Sequence, residues 1–300
     1  MTRTNSLKEL SNALAALSEG ARGFTTAIRW GSSRWRSGIA WRSDVVVASE
    51  QALGKVESYE IVLAGGASAR AALAGRDAGT NVAVLKLEST FAEALPEPAD
   101  PLAGSLALAC AADGYGGIAA HLGIISSAAP EWRSRAGGKI DRRITLDVAL
   151  SECEEGGPVL DASGALLGMS TLGHRGNVLV IPPSTIARSV EALLAHGRIE
   201  RGWLGVALQP VAIPDGWREA AASDSGLMVM SMVADGPAAR AGLVAGDILI
   251  GLDGARAGHA RNLAERLGPD SIGREMELTV LRGGAAVPLR TTVASWPADG

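Results

Sequence analysis

The stretch EEGGPVLDASGALLGMST, residues 154–171, decides which fold this chain is expected to adopt. Two apolar runs, PVL at 158–160 and ALLGM at 165–169, flank the segment Asp161–Gly164. Asp, Ser and Gly accept the tight backbone conformations of a turn. The pattern therefore predicts a β-hairpin.

Short apolar runs with a period of two surround this hairpin, from about residue 24 to about residue 180. In RITLDVAL, residues 143–150, every second side chain is apolar. The other runs are VVVAS (45–49), YEIVLA (59–64), NVAVLKLE (81–88), LALACAA (106–112), GIISSA (123–128) and NVLVIP (177–182). Many short strands separated by Gly, Pro, Asp and Ser predict a β-sandwich or barrel.

Helical patterns lie at both ends of this all-β region. Leucines on one face predict a helix over residues 6–19, with Gly20 after it, and a second apolar stripe predicts a helix over about 184–196. The polar segment Gly197–Arg201 is the expected linker.

The rest of the chain predicts a smaller α+β module. Residues 202–297 mix strands with two short helices, Pro237–Ala241 and about 258–267. MELTVL and VPLRTTV flank Gly283–Gly284 as a final hairpin.

Composition excludes several classes of protein. A length of 300 residues favours two domains, and 47% hydrophobic with 20% charged residues is typical of globular chains. The net charge is −4 and the 28 Lys and Arg residues are spread along the chain, so no nucleic-acid partner is expected. The longest apolar stretch, Leu106–Ala112, is far shorter than the roughly 18 residues of a membrane span.

No cofactor, metal site or disulfide framework is expected. Cys110 and Cys153 are too few for a framework and lack zinc-ligand spacing. Glu152, Glu154 and Glu155 form an acidic cluster without the His or Asp-rich loop of a metal site. The first residues lack the apolar core of a signal peptide, which favours a cytoplasmic location, or a periplasmic one if the N-terminus is truncated.

Four segments resemble the HtrA/Deg family of trypsin-like serine proteases with a C-terminal PDZ domain. They are GRDAGTNVAVLKLE (75–88), EEGGPVLDASGALLGMST (154–171), IARSVEALLAHGRIERGWLGV (186–206) and GPAARAGLVAGDILIGLDG (236–254). The resemblance implies a mostly β fold, a trypsin-like double β-barrel with an N-terminal helix, followed by a small α+β PDZ domain. The implied divisions are an N-terminal arm over 1–22, a protease-like domain over 23–197 and the PDZ domain over 198–300.

The same resemblance places other residues where the family has its catalytic triad. Gln51 stands at the position of the histidine, Asn81 at that of the aspartate and Glu155 at that of the nucleophilic serine. A primary amide has no useful basicity near neutral pH, so Gln51 cannot act as the general base. The triad is therefore expected to be degenerate. Its polar side chains suit a hydrogen-bonded chain in which the Asn81 amide donates to the Gln51 carbonyl and the Gln51 amide to Glu155.

The expected oxyanion loop is degenerate as well. The glycine of the family has become Cys153, and the adjoining Glu154 and Glu155 carry charge that opposes a developing oxyanion. A relocated nucleophile, Ser151, Cys153 or Ser170, would need His121 or His174 within hydrogen-bond reach, and the spacing does not favour it.

The PDZ half offers a candidate peptide-binding loop. Trp203–Leu204–Gly205–Val206 matches the loop that receives a ligand's C-terminal carboxylate in HtrA-type modules. The following strand, with Ala207 and Leu208, is expected to pair with the peptide. Leu263 and Leu267 are the expected apolar contacts on the opposite wall.

The sequence thus favours a catalytically inactive protein that binds C-terminal or exposed apolar peptides, or that scaffolds a partner in protein quality control. Two alternatives stay open. One is an active serine-type endopeptidase with a non-standard site. The other is a structural subunit of a mixed oligomer with active paralogues, since members of the family commonly trimerise.

Overall fold

The chain folds into two compact units, Met1–Ile199 and Glu200–Gly300. The structure is a computed structural model that describes residues 3–31, 34–90, 95–134, 136–173, 176–258, 263 and 266–297. The expected fold class is confirmed, because the first unit contains two closed β-barrels after an N-terminal helix and the second is a small α+β unit.

The first unit begins with helix α1 (Arg3–Arg22) and ends with helix α2 (Pro183–His196). Its strands are β1 (Thr25–Trp30), β2 (Arg34–Arg42), β3 (Val45–Ser49), β4 (Ser58–Val62), β5 (Ser68–Asp77), β6 (Val82–Leu87), β7 (Leu106–Ala112), β8 (Ile118–Ala129), β9 (Trp132–Arg133), β10 (Lys139–Ile140), β11 (Arg143–Leu146), β12 (Pro158–Asp161), β13 (Leu166–Leu172) and β14 (Val178–Ile181). One barrel closes in the order β1-β2-β3-β6-β5-β4 and the other in the order β11-β14-β13-β12-β7-β8.

Strands β3 and β6 are apolar on both faces because each face packs against a different core. Val46 and Ala48 point into the first barrel with Ile28 and Leu85. Their neighbours Val45 and Val47 belong to the cluster that also takes in residues of the second barrel and of α2. Since successive side chains of a strand alternate between faces, a strand buried on both sides shows an unbroken apolar run.

The hairpin at 158–169 is present as β12 and β13, with Gly164 in the left-handed conformation at φ +88°. Val159 and Leu167 fill the second barrel, whereas Leu160 and Met169 join the cluster shared with the first barrel. The hairpin therefore contributes to both cores.

Two elements differ in length from the sequence-based prediction. Helix α1 extends over Arg3–Arg22, past Gly20, because Ala21 is fully buried and continues the packed face. The run at 143–150 forms a strand only over Arg143–Leu146, where the pairing with β8 already shifts register.

The predicted helix at 184–196 is α2, closed by Gly197 at φ +70°. No helix in the described ranges is long and apolar enough to cross a bilayer.

The second unit contains β15 (Gly202–Trp203), β16 (Val206–Ala212), α3 (Arg218–Ala221), β17 (Ser225–Met232), α4 (Pro237–Arg240), β18 (Ile248–Leu252), β19 (Ala255–Arg256), β20 (Glu275–Arg282), β21 (Ala285–Thr292) and β22 (Ala294–Ser295). Its main sheet has the order β16-β17-β18-β20-β21, so β16 stands at one edge. The predicted final hairpin is β20–β21. The predicted helix at about 258–267 lies mostly outside the described residues, although Leu263 and Leu267 are described.

An ion pair joins the residue before β18 to the end of β20: Asp247 is buried and Arg282 is 39% exposed. Arg282 donates from Nε to Asp247 Oδ1 at 2.8 Å and from Nη2 to Oδ2 at 2.7 Å. The backbone N–H of Val244 also donates to Oδ2, at 2.9 Å. The hydrogen bond with Arg282 lowers the pKa of Asp247 below its usual value, more than burial raises it.

We expect Asp247→Asn to lower the free energy of unfolding of the second unit by about 1–3 kcal/mol at neutral pH, because Arg282 is partly exposed and the pair is partly screened by solvent. Because the pKa of Asp247 is depressed in the folded state, its contribution is complete above the unfolded pKa of about 4 and is lost as the pH falls through the folded pKa. The difference from the wild type should therefore shrink in acid. Denaturant unfolding at several pH values measures it, with exposed Asp215→Asn as the control, and an equal difference at pH 7 and in strong acid would contradict this account.

Candidate functional site

The structure brings Gln51, Asn81 and Glu155 together, although they are far apart in sequence. Gln51 follows the end of β3 and Asn81 precedes β6, and the two strands pair with Ser49 opposite Val82. The backbone N–H of Gln51 donates to Asn81 Oδ1 at 2.8 Å, and Gln51 Nε2 donates to Glu155 Oε1 at 2.6 Å.

One carboxylate oxygen of Glu155, Oε1, is the acceptor of four hydrogen bonds at this site. Glu155 is 4% exposed, and its Oε1 accepts from Ser49 Oγ at 2.7 Å and from Thr171 Oγ1 at 2.8 Å. It also accepts from the backbone N–H of Leu172 at 3.1 Å, in addition to Gln51. A buried carboxylate is stable only when donors surround it, and these four donors supply that environment.

Asn81 completes the network in a different way from the one predicted. Its amide does not donate to the Gln51 carbonyl; Nδ2 donates to Ser49 Oγ at 2.9 Å and to Thr171 Oγ1 at 2.6 Å. Asn81 has φ +60°, a left-handed conformation that Asn tolerates better than most residues. Its side-chain oxygen Oδ1 accepts the N–H of Gln51 instead, and its backbone carbonyl accepts the N–H of Glu50 at 3.2 Å.

The chain leaves Glu155 through Gly156, which has φ +100°. A Cβ at this position would lie 2.3 Å from the carbonyl oxygen of Ser37. The close approach of the two backbones therefore requires glycine here.

The neighbouring acidic loop is held by a second set of hydrogen bonds. Glu154 Oε2 accepts from the backbone N–H and the hydroxyl of Ser151, both at 2.7 Å. Its Oε1 lies 2.7 Å from His121 Nε2. Burial raises the pKa of Glu154, but the bonds from Ser151 and His121 outweigh burial and hold that pKa below its usual value.

The candidate nucleophiles are not paired with a histidine among the residues described. Ser151 Oγ contacts Glu154 Oε2 and Cys153 Sγ, the latter at 3.1 Å, and His121 contacts the carboxylate. Ser170 is fully buried and its hydroxyl has no partner within the described ranges. His174 lies outside those ranges.

Both cysteines are free thiols. Cys110 is buried, and burial raises its pKa to about 12, so this thiol is unreactive. Cys153 is half-buried, and its carbonyl oxygen accepts the backbone N–H of Ser37 at 3.0 Å. The described part of the chain contains no group of His, Cys, Asp and Glu arranged to hold a metal ion.

The second unit contains an apolar cavity of about 190 Å³ at the predicted peptide-binding loop. Its lining residues are Arg201, Gly202, Trp203, Leu204, Gly205, Val206, Leu263, Leu267 and Trp296. Trp203 and Trp296 meet edge to face, with ring centroids 6.5 Å apart. Ala207 and Leu208 follow on β16 and do not line this cavity.

The comparisons with known proteins agree with this architecture. The family model of the trypsin-like peptidase domain matches residues 36–169, and that of the PDZ domain matches residues 202–293. The chain is of the HtrA/DegP type, a trypsin-like peptidase domain followed by a PDZ domain.

Relatives and solved structures of the same type cover most of the chain. A probable periplasmic serine endoprotease DegP-like of Brucella suis is 32% identical over 265 residues, 85% of this chain and 51% of the relative. The protein of the same name from Bartonella henselae is 31% identical over 278 residues, 88% of this chain and 54% of that relative. The chain thus spans about half the length of these curated relatives.

The fold also matches that of a solved HtrA-type protease, AlgW with a decapeptide. The TM-score is 0.71 at 22% identity, over 95% of this chain and 99% of that one. The cytoplasmic location expected from the sequence is wrong, because the matching DegP-like relatives are named as periplasmic proteins.

The sequence patterns of this HtrA/DegP-type chain do not indicate several residues that the structure places at the Glu155 network and at the apolar cavity. Ser49, Thr171 and Leu172 surround Glu155, and Trp296 lines the peptide cavity. Ser49 was detectable in principle, since it ends the predicted strand 45–49 two residues before Gln51. Thr171 lies beyond the predicted apolar run 165–169, and no pattern relates it to Glu155. Trp296 follows the last hairpin without a motif, and only the fold brings it beside Trp203.

We expect Glu155→Ala to lower the free energy of unfolding of the first unit by about 2–4 kcal/mol, because it leaves buried donors without their acceptor. Glu152→Ala is the matched control in the same loop: Glu152 is 83% exposed and makes one ion pair with Arg36, so its loss should stay within about 0.5 kcal/mol. Urea unfolding followed by tryptophan fluorescence compares them. Equal effects would contradict a structural role for the Glu155 network.

Proposed function

We propose that this HtrA/DegP-type chain is a catalytically inactive pseudoprotease that binds peptides through its PDZ domain. The observation that carries the proposal is the hydrogen bond from Gln51 Nε2 to Glu155 Oε1, at 2.6 Å, between the positions of general base and nucleophile. The DegP-like relatives are named as serine endoproteases. The proposal differs from those names because the motifs of this sequence put Gln51, Asn81 and Glu155 at the three triad positions.

The chemistry of the network argues against peptide hydrolysis. A serine protease needs a neutral imidazole to take the hydroxyl proton and to return it to the leaving amine. Gln51 supplies an amide that only donates here, and Glu155 has one oxygen occupied by four donors. Asn81 Oδ1 accepts the backbone N–H of Gln51, whereas the aspartate of a triad accepts an N–H of the imidazole.

The binding half of the proposal rests on the loop at Trp203–Val206. Gly205 has φ +74°, and its carbonyl oxygen accepts the N–H of Val233 at 2.8 Å. Within the described residues, the N–H groups of Leu204 and Gly205 donate to no backbone acceptor. These N–H groups could donate to the C-terminal carboxylate of a peptide, and the apolar cavity beside them could receive the side chain of its last residue.

We propose a periplasmic location, which the names of the relatives support. We also propose the limits 1–22, 23–197 and 198–300 for the N-terminal arm, protease-like domain and PDZ domain, supported by the division into two compact units at residues 199 and 200. A homo-trimer or mixed oligomer with active paralogues is the partner arrangement that the family resemblance favours.

The purified protein should not hydrolyse casein above background, and Glu155→Ser should restore nothing. The reason is that the base is also missing, and loss of the base alone lowers turnover by about 10⁶ in a serine protease. A fluorophosphonate probe, which labels activated serines, should label neither protein. The triple variant Gln51→His, Asn81→Asp, Glu155→Ser serves as the comparison for any turnover the scaffold supports.

Turnover by the wild type that disappears in Glu155→Ala or Gln51→Ala would overturn the pseudoprotease proposal. It would favour an endopeptidase with a non-standard site.

Peptides with a free carboxylate and an apolar last residue should bind with micromolar affinity, and amidation of the C-terminus should weaken binding by about 1.5–3 kcal/mol. Gly205→Val should abolish binding, because a β-branched residue resists φ +74° and its Cβ would lie 3.1 Å from the Trp203 ring. Gly216→Ala, with open space around its Cβ, is the matched control. Calorimetry with a C-terminal peptide library measures both, and binding indifferent to amidation would contradict the proposed carboxylate site.

A further inference from the structure

Strand β16 carries a proline, Pro210, in the middle of the edge to which a bound peptide would be added. Proline has no backbone N–H and so cannot donate to an added strand. What this means for ligand recognition depends on the direction in which the backbone groups of each β16 residue point.

Two hydrogen bonds outside the regular ladder determine that direction. The N–H of Val233 donates to the carbonyl of Gly205, and the N–H of Ile213 donates to the carbonyl of Asp224, both at 2.8 Å. Gly205 and Ile213 therefore face the β17 side at the two ends of β16. In antiparallel pairing, alternate residues direct both backbone groups to the same neighbour.

The alternation is unbroken along β16. The register shift lies between Ala207, opposite Ser231, and Leu208, opposite Val229, so the extra residue belongs to β17. Val229 supports this assignment because its N–H donates to the carbonyl of Asp247 and its carbonyl accepts the N–H of Gly246. The backbone N–H and C=O of Val229 therefore point away from β16. This is the geometry expected if its partner, Leu208, directs its own backbone groups to the free edge of the sheet.

Val206, Leu208 and Pro210 consequently direct their backbone groups to the free edge of the sheet. Val206 and Leu208 each offer an N–H and a C=O there, whereas Pro210 offers only a C=O. Pro210 is also exposed, which fits a proline at a sheet edge.

We propose that Pro210 ends the backbone ladder of a bound peptide, so that the groove recognises only about the last four residues of its ligand. This inference rests on the proposed peptide-binding function. With the carboxylate at the loop, the last residue donates its N–H to Val206, and the third-last residue exchanges two hydrogen bonds with Leu208. The fifth-last residue would face Pro210, whose carbonyl could accept its N–H, but its own carbonyl would find no donor, so the exchange of two hydrogen bonds is not repeated there.

The proposed ligands are therefore short, free C-terminal tails with an apolar last residue. Upstream residues of such a tail need not be extended, so a tail projecting only a few residues from a folded protein is sufficient. A groove with a complete ladder would instead favour long, unfolded termini.

The test uses the full chain and the tightest-binding decapeptide from a library of free-carboxylate peptides ending in Leu, Val, Ile, Phe or Met. Calorimetry compares that decapeptide with versions shortened from the N-terminus to six and four residues. For the wild type we expect dissociation constants within about twofold of one another. In Pro210→Ala, the six- and ten-residue peptides should bind about three- to tenfold more tightly, the usual effect of one added backbone hydrogen bond, and the four-residue peptide should be unchanged.

Pro214→Ala is the matched control, because Pro214 lies beyond the end of β16 and should leave the length profile unchanged. A wild-type affinity that rises more than about fivefold from four to six residues would overturn the role of Pro210 and leave the proposed peptide binding intact. A length profile that Pro210→Ala does not alter would also overturn it. Binding of no peptide at all would overturn the peptide-binding function and this inference together.

Discussion

A carboxylate inside a protein must be surrounded by hydrogen-bond donors, and the arrangement around Glu155 follows from that requirement. Ser49 and Gln51 reach Glu155 from the end of β3, and Thr171 and Leu172 reach it from the end of β13. The two strands belong to different barrels. The network therefore links the end of a strand in one barrel to the end of a strand in the other.

Under the proposed assignment of Gln51, Asn81 and Glu155 to the triad positions, this network links all three residues. The buried Glu155 carboxylate needs donors, and the Gln51 amide provides one of them. Asn81 keeps the left-handed backbone turn before β6 and satisfies the N–H of Gln51 and the hydroxyls of Ser49 and Thr171. Gln51, Asn81 and Glu155 thus take complementary donor and acceptor roles in one hydrogen-bonded cluster.

Sequence patterns predicted the elements well and the contacts only in part. Strands β3, β6 and β7 follow directly from apolar runs, and the convergence of Gln51 with Glu155 follows from the family motifs around them. The error at Asn81 has a physical origin, since strand alternation gives positions but not the side-chain rotamer of a residue with left-handed backbone. Trp296 illustrates the other limit, because the pairing of β15 with β22 joins residues that no local pattern relates.

The burial of β3 and β6 on both faces has a consequence for dissecting the molecule. Each strand is at once part of the wall of the first barrel and part of the surface on which the second barrel rests. A fragment cut within the connection between Leu87 and Leu106 would expose an apolar sheet face made of valines, which is the kind of surface that drives aggregation. We therefore expect the two barrels to fold as one piece, since each covers an apolar face of the other.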